Sequence, residues 1–539
     1  MRGTVLREHD GKIVTKLSIT PIPVDRAPYP SPAPFSVYFT LQPGGAYVDG
    51  DPTKAVRIIY PNYLGLRAGA SVALWNYDPD GGGWRVYGHG IVTADGKQVL
   101  PDESVTFRQI MTFGFAEGPN YPNPNTPPNP GPPPGGCSQG GDPVDCATGL
   151  FLHNVTDMVE RDIIPISVSR MYRQNDNLPH AFGTGGNLSY NMWLYTPPQT
   201  GATTLVTLIL ADGGQINYFP VSEAGVYPFS NTDSPTIFLG STLTQQSGAE
   251  GGQWLITLRD GTVLQFENTT PNQLTSITDR NGNRVNITLA GNVVTQVSSP
   301  NGRYLQFFYD SDNRINQVVD NVGRSSSYTY DGSGRLATAI DADGNTESYG
   351  YDSVSNGMKL VTDKRGNAMV KNLFDANGRV SQQTLADGAI WKFTYALNSA
   401  GAVTQTTITD PRTYVRQETF NPSGYVTQSI RAMGAPEQQT YLFQRNGTNQ
   451  VVSVTDPLGR LTMLSYDEVG DLSTLTLAYG TSSAVTYSYF YDPIYHQLTK
   501  YTDPLGHSTV IDRDGLSNIL TVTDALNWTC PASVDGYPS

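Results

Sequence analysis

The sequence predicts an all-β protein whose larger part is a strip of repeated antiparallel hairpins. Three observations carry this. A Tyr-Asp pair returns at Tyr309-Asp310, Tyr330-Asp331 and Tyr351-Asp352, a spacing of 21 residues. Gly (55), Pro (38) and Tyr (31) are abundant, and charged residues make up 15% of the chain, below the roughly 25% usual in soluble domains. Runs of Ala, Leu, Glu and Lys, the strong helix formers, are nearly missing. A fixed period of about 20–25 residues marks units that bury their apolar faces only against their neighbours. Length alone would suggest roughly three or four domains; a repeat array lowers that count.

The elements follow in order. Residues 1–34 read as the end of a preceding segment, with a final strand and linker over 12–24. Met1 is followed by a polar stretch without the apolar core of a secretory signal. Residues 35–116 predict a β-sandwich module: Val37, Phe39 and Leu41 alternate onto one face, and turns at 79–83 and 94–97 separate the strands. Trp75 and Trp84 are expected in its core or on its rim. Residues 117–136 form a Pro-rich linker. Proline fixes φ and lacks an amide hydrogen, so an extended, semi-rigid spacer is expected.

Residues 137–270 form a second β region with Asp- and Gly-rich turns at 211–214 and 259–262. The repeats occupy 271–528. Degenerate copies of the Tyr-Asp pair follow at Phe374-Asp375, Tyr395-Ala396, Phe420-Asn421, Phe443-Gln444, Tyr466-Asp467, Tyr491-Asp492 and Ile511-Asp512. Each unit reads as a strand ending in Tyr-x-Tyr-Asp, a tight turn such as Gly334-Arg335, a short strand, and a second turn. Tyr328 and Tyr330 share one strand face, as do Tyr349 and Tyr351, and cross-strand aromatic pairs between units are expected. Asp310, Asp331, Asp352, Asp467 and Asp492 should accept turn amides. The arginine after each turn glycine (Arg303, Arg324, Arg335, Arg379, Arg460) should pair with a turn Asp or lie over a ring. Residues 529–539 break the period as an aberrant tail, and an open sheet edge near 528 predicts self-association or poor solubility.

The Tyr-Asp…Gly-Arg periodicity, together with residues 140–173 just upstream (GGDPVDCATGLFLHNVTDMVERDIIPISVSRMYR), resembles the Rhs / YD-repeat family and the domain that precedes its repeats. The likeness covers about residues 137–528. It implies a β-sheet strip coiled into a hollow shell that encloses a C-terminal toxin cargo, in proteins that are secreted or displayed on bacterial surfaces and serve in competition. Carbohydrate binding has also been proposed for such repeats, so cell-surface glycans are the second partner class. A cleavage region and toxin after the repeats, which the family would supply, find no match here. The Asp-Pro-Leu-Gly runs at 456–459 and 503–506 read as repeat turns. A fragment of a longer member, or a truncated or frameshifted product, is therefore expected.

Enzymatic chemistry finds no support. No phosphate-binding loop, His-Glu-x-x-His or Gly-x-Ser-x-Gly motif occurs. The six histidines are scattered. Cys146 with His153, residues 183–187 and residues 341–345 read as strand or turn sequence and not as a nucleophile pair, a nucleotide loop or a calcium loop. Of three cysteines, Cys137 and Cys146 either bridge a short loop or stand apart. The expectation is a non-enzymatic scaffold without cofactor or metal. A net charge of −14 without a basic cluster argues against nucleic acid, and no apolar run is long enough for a transmembrane helix.

Overall fold

The hairpin is decided locally, by its turns. In the computed structural model, Asp331 Oδ1 accepts the amides of Ser333 and Arg335 at 2.9 and 3.0 Å. The Asp331 amide donates to the Arg335 carbonyl, and the Gly334 amide donates back to Asp331. This tight loop needs a left-handed residue at its third place, and Gly334 has φ +76°. Asp310, Asp320, Asp341, Asp363, Asp456, Asp503 and Asp524 cap their turns in the same way. The 341–345 segment is thus a turn. On the Tyr-Asp side each hairpin also carries a bulge: the register shifts between Thr329 and Tyr330, which sets Tyr330 opposite Leu336.

The structure describes residues 144–174, 176, 179–196, 206–220, 229–230, 236–246, 252–268, 272–399, 401–526 and 528–531, and, nearer the N-terminus, 5–7, 12–16, 18–21, 37–42, 47–49, 58–62, 71–78, 83–101 and 112–116. The linker at 117–136, Cys137 and the side chains of Trp75 and Trp84 lie outside them. No helix occurs among the described residues. Consecutive hairpins join into one antiparallel sheet of 31 strands, from Trp193–Tyr195 to Thr529–Pro531. The protein is all-β, as the sequence predicts. The last of these strands lies within the segment that the sequence sets apart at 529 and pairs with Ile519–Thr523.

The strip does not stay flat. Its first strand, Trp193–Tyr195, pairs with Val206–Ile209 and again with Asn272–Thr278, so the opening strands close into a ring. Further on the strip winds past its own beginning. Arg259 Nη1 donates to Asp471 Oδ1 at 2.6 Å and to the Val469 carbonyl at 3.0 Å. Tyr495 lies against Gly261, and Asn518 donates to Asn281 at 2.8 Å. These partners sit roughly twenty strands apart. At ~4.8 Å per strand, one circuit is about 100 Å around and about 30 Å across.

A second, four-stranded sheet is built from Val144–Asp145, Leu150–Glu160, Ile166–Arg173 and Gly186–Leu188. It touches the strip from Leu305's neighbourhood to Gly424, and at the turns from Ser299 onward. Its longest strand has 11 residues, about 36 Å, whereas that stretch of strip spans about 60 Å at ~4.8 Å per strand. One small sheet can touch so many strands only if the strip curves around it, so the contacted face is the concave one. The expectation that units bury their apolar faces only against their neighbours is corrected here: this stretch has a core closed by a layer from elsewhere in the chain.

Nearer the N-terminus, seven strands hydrogen-bond as one sheet in which Ser18–Pro21 pairs with Val37–Gln42. The strand expected to finish a preceding domain therefore belongs to the module that follows it.

Candidate functional site

The most chemically distinctive place is the contact between the upstream sheet and the repeats. Arg170 stands mid-strand, buried. Its Nε and Nη2 hold both oxygens of Asp157 at 2.6 and 2.9 Å. Nη1 donates to Tyr349 Oη at 2.6 Å, and Nη2 reaches Glu347 Oε2 at 3.2 Å. Tyr349 in turn donates to Glu347 at 2.6 Å, and Tyr328 donates to Asp157 at 2.7 Å. His153 Nε2 lies 3.5 Å from Glu347 Oε1, without hydrogen-bond geometry. The guanidinium also lies 5.4 Å from the Tyr349 ring centre.

Burial alone would raise the Glu347 pKa, but contact with His153, the Tyr349 hydroxyl and Arg170 outweighs it and holds the carboxyl at about 2. Burial pushes the Tyr328 and Tyr349 phenols well above their ordinary value. A buried charge survives only when paired and hydrogen-bonded; Arg170, Asp157 and Glu347 are each both. The cluster is a fixed polar lock, with its carboxylates and phenols already engaged.

Around it the two layers interlock through backbone. The Thr184 amide donates to the Gly334 carbonyl, and Ile315 donates to Ala181. Gly183 has φ +82°, and a Cβ there would strike the Gly334 carbonyl oxygen. The glycines at 183–187 thus serve close backbone approach. Val380 donates to Gly149 at 2.9 Å. The Tyr172 hydroxyl accepts from the Met358 amide at 2.9 Å, and Thr406 donates to the Cys146 carbonyl at 2.6 Å. Gln174 reaches the Gly378 carbonyl. At the opposite end Asp162 receives Asn301, and Glu160 pairs with Arg324. Cys146 is disulfide-bonded; the bridge to Cys137 that the sequence leaves open falls partly outside the described residues. His153 faces Glu347, not Cys146.

The repeat residues named from sequence have definite places. Tyr309, Tyr330, Tyr351 and Tyr466 each send a hydroxyl to the carbonyl 15 residues back, at Val294, Ile315, Leu336 and Val451 (2.5–2.9 Å). Each tyrosine therefore ties its hairpin to the preceding one. Arg335 does both things expected of it: its Nε donates to Asp331 at 2.9 Å, and its guanidinium lies 4.5 Å from the Tyr351 ring centre. Asp352 and Asp492 accept turn amides at Ser355 and Tyr495, and Asp467 those at Val469 and Asp471. Tyr491 sits opposite Leu498 at a bulge.

Three degenerate copies need correction by two residues. The bulge positions are Leu397, Arg445 and Arg513, followed by turns at Asn398, Asn446 and Asp514, not Tyr395, Phe443 and Ile511. Arg513 replaces the tyrosine hydroxyl and donates to the Leu498 carbonyl, again 15 residues back. Tyr395, two residues early, still reaches Val380. The aromatic pairs also differ from expectation. Tyr487 and Tyr489 pair with Tyr501 across strands (6.1 and 5.6 Å), whereas Tyr328 meets Phe182 and Tyr351 meets Tyr172 of the upstream sheet.

Two sequence families match. Residues 309–346 match the RHS Repeat, and residues 141–218 match a domain of unknown function (DUF6531). The chain is an Rhs/YD-repeat protein. No curated protein matches it. Among solved structures it is similar to the Tc holotoxin pore of Photorhabdus luminescens, at 12% identity over 70% of this chain and 22% of that one, with a TM-score of 0.35. It is similar also to TcdB2-TccC3, at 14% identity over 70% and 23%, with a TM-score of 0.32. The Rhs chain thus spans less than a quarter of either. Among its described residues, no group of three or more His, Cys, Asp or Glu side chains is placed to hold a metal ion, and no helix is long and apolar enough to cross a membrane.

Proposed function

We propose that this Rhs protein is a non-enzymatic wall segment whose concave face encloses a polypeptide cargo, a C-terminal toxin in the intact protein, for delivery from a secreted or surface-displayed molecule. One observation carries the reading. Beyond Val426 the concave face keeps the apolar and aromatic residues of a core position, including Leu464, Leu475, Tyr489 and Tyr501, but they are only partly buried. A curved apolar wall of this kind favours an unfolded chain over water, because burial gains ~25 cal/mol per Å².

The mechanism is steric. The wall excludes proteases and host surfaces from whatever it surrounds, and no bond is made or broken. The test appends a flexible, protease-sensitive segment after Ser539 in the full chain and follows its cleavage. At least tenfold slower cleavage than for the same segment free is expected; equal rates would sink the reading.

A second reading, a glycan-binding surface, has a place to work. A groove of about 640 Å³ on the outer face is lined by Phe490, Thr499, Lys500, Asp512 and Asp514, and an exposed ring beside carboxylates suits a sugar's apolar face and hydroxyls.

A further inference from the structure

The face that carries the lock can be followed past the upstream sheet by register alone. Thr406, which donates to the Cys146 carbonyl, stands opposite Glu418; Glu418 stands opposite Ser429, and Ser429 opposite Tyr441. Two residues on, and so on the same face, Phe443 stands opposite Val454 and Val454 opposite Thr462. Leu464, Leu475 and Tyr487 continue the row, and Tyr489 stands opposite Tyr501. Glu418 and Ser429 are buried, but from Tyr441 onward these side chains are half-buried. The far end is an aromatic step: Tyr487 stacks on Tyr501 with an interplanar angle of 18°, and Tyr489 lies 5.6 Å from the same ring.

We propose that the Pro-rich run of this chain, residues 119–134, lies as a polyproline II strand along this face from Tyr441 to Tyr501, continuing the layer that residues 144–188 begin. Its anchor is covalent. Cys146 is disulfide-bonded and Cys530 is free, which leaves Cys137 as the partner among the three cysteines. A disulfide holds its two Cα atoms within about 7 Å, so residue 137 is kept near Thr406, at the margin of the buried stretch. The last proline of the run, Pro134, comes three residues before it.

The lengths agree. The sixteen residues from Pro119 to Pro134 reach about 50 Å at ~3.1 Å per residue. The strand of Tyr501 lies eight strands beyond that of Thr406, about 38 Å at ~4.8 Å per strand.

The chemistry agrees as well. An apolar face strips water from whatever lies on it, and an ordinary peptide would bury unpaired amides there. Proline has no amide hydrogen, and nine of the sixteen residues are proline. Residues 118–141 carry no charged side chain, so no ion is desolvated. Aromatic faces take polyproline II in just this way, because the helix is preformed and loses little entropy on docking. Tyrosine hydroxyls can donate to the carbonyls that such a helix leaves unbonded. This goes beyond cargo enclosure and does not need it; where cargo is present, the two compete for one face.

The experiment places a photo-reactive benzophenone amino acid at position 125 or 129 of the full chain, in place of asparagine. The protein is irradiated at low concentration, and crosslinks within the monomer are mapped by mass spectrometry. Crosslinks to residues 441–501 are expected. Tyr487→Ser, Tyr489→Ser and Tyr501→Ser together, with circular dichroism unchanged, should lower their yield about tenfold. Should that variant fold poorly, the map on the unaltered wall decides by itself. Crosslinks confined to other parts of the chain, or none, would mean a spacer held away from the wall and overturn the proposal. A yield that the three substitutions leave unchanged in a folded variant would do the same.

Discussion

The repeats before and after residue 430 share a motif, a turn and a register, yet live in different surroundings. In the first stretch Val318, Tyr328, Ala339, Tyr349 and Val361 are buried beneath the upstream sheet. In the second, the matching positions Val454, Leu464, Leu475, Tyr489 and Tyr501 are only half-buried. Turn capping is the same in both, as at Asp331 and Asp456, and so is the bulge, as at Tyr330 and Tyr466. The difference teaches that the hairpin ladder is specified locally, while burial is supplied from 144–188. The strip can be built without a core, but its stability should then vary along its length.

The largest break in this comparison should come from Arg170→Met. The change leaves Asp157 and Glu347 buried without their cation, a loss of about 3–5 kcal/mol for a broken buried pair. Hydrogen exchange should lose protection across 305–426 and keep it across 451–523. Equal loss in both stretches would mean that the strip unfolds as one unit.

Acid should give a smaller effect of the same kind. Glu347 is held at about 2 in the folded protein against 4.5 for a free carboxyl. Its contribution is full above pH 4.5 and fades as pH falls toward 2, where the native state must also take up the proton. Protection of 326–361 should therefore drop across that window in wild type and drop less in Glu347→Gln. A decline no steeper there than at 461–502 would remove Glu347 from the account.

Much of the strip was legible because its determinants are short-range. Tyr, Asp, Gly and Arg at fixed offsets encode an aromatic tie, an Asx-capped turn, a left-handed residue and a ring-stacked cation, and all four roles are met at Tyr330–Arg335 and Tyr351. The two-residue slip at Tyr395, Phe443 and Ile511 has a plain cause. Strand alternation puts those side chains on the same face as the true bulge residue, so a large apolar or aromatic residue there mimics the motif, while Arg445 and Arg513 conceal it.

The lock was less legible. Arg170 and Asp157 stand as charged residues inside strand sequence, a signal of buried pairing, but their partners Tyr328, Glu347 and Tyr349 lie more than 150 residues away. No local pattern joins them. The winding was hidden for the same reason, since Arg259 and Asp471 are ordinary turn residues until the strip passes itself.

The finest test sets one hydroxyl against its twin. Tyr330 donates to Ile315 at 2.5 Å in the covered stretch, and Tyr466 donates to Val451 at 2.9 Å in the uncovered one. Phenylalanine keeps the ring and deletes the bond. At 330, Ile315 is fully buried and the orphaned carbonyl sits where water enters poorly, so Tyr330→Phe should cost about 1–1.5 kcal/mol. At 466 solvent can replace the lost donor, and Tyr466→Phe should cost about 0.5 kcal/mol or less. Denaturant midpoints read by exchange at each site would separate the two. Equal costs would mean that cover from 144–188 does not set the local dielectric, and that the two halves of the strip differ in exposure alone.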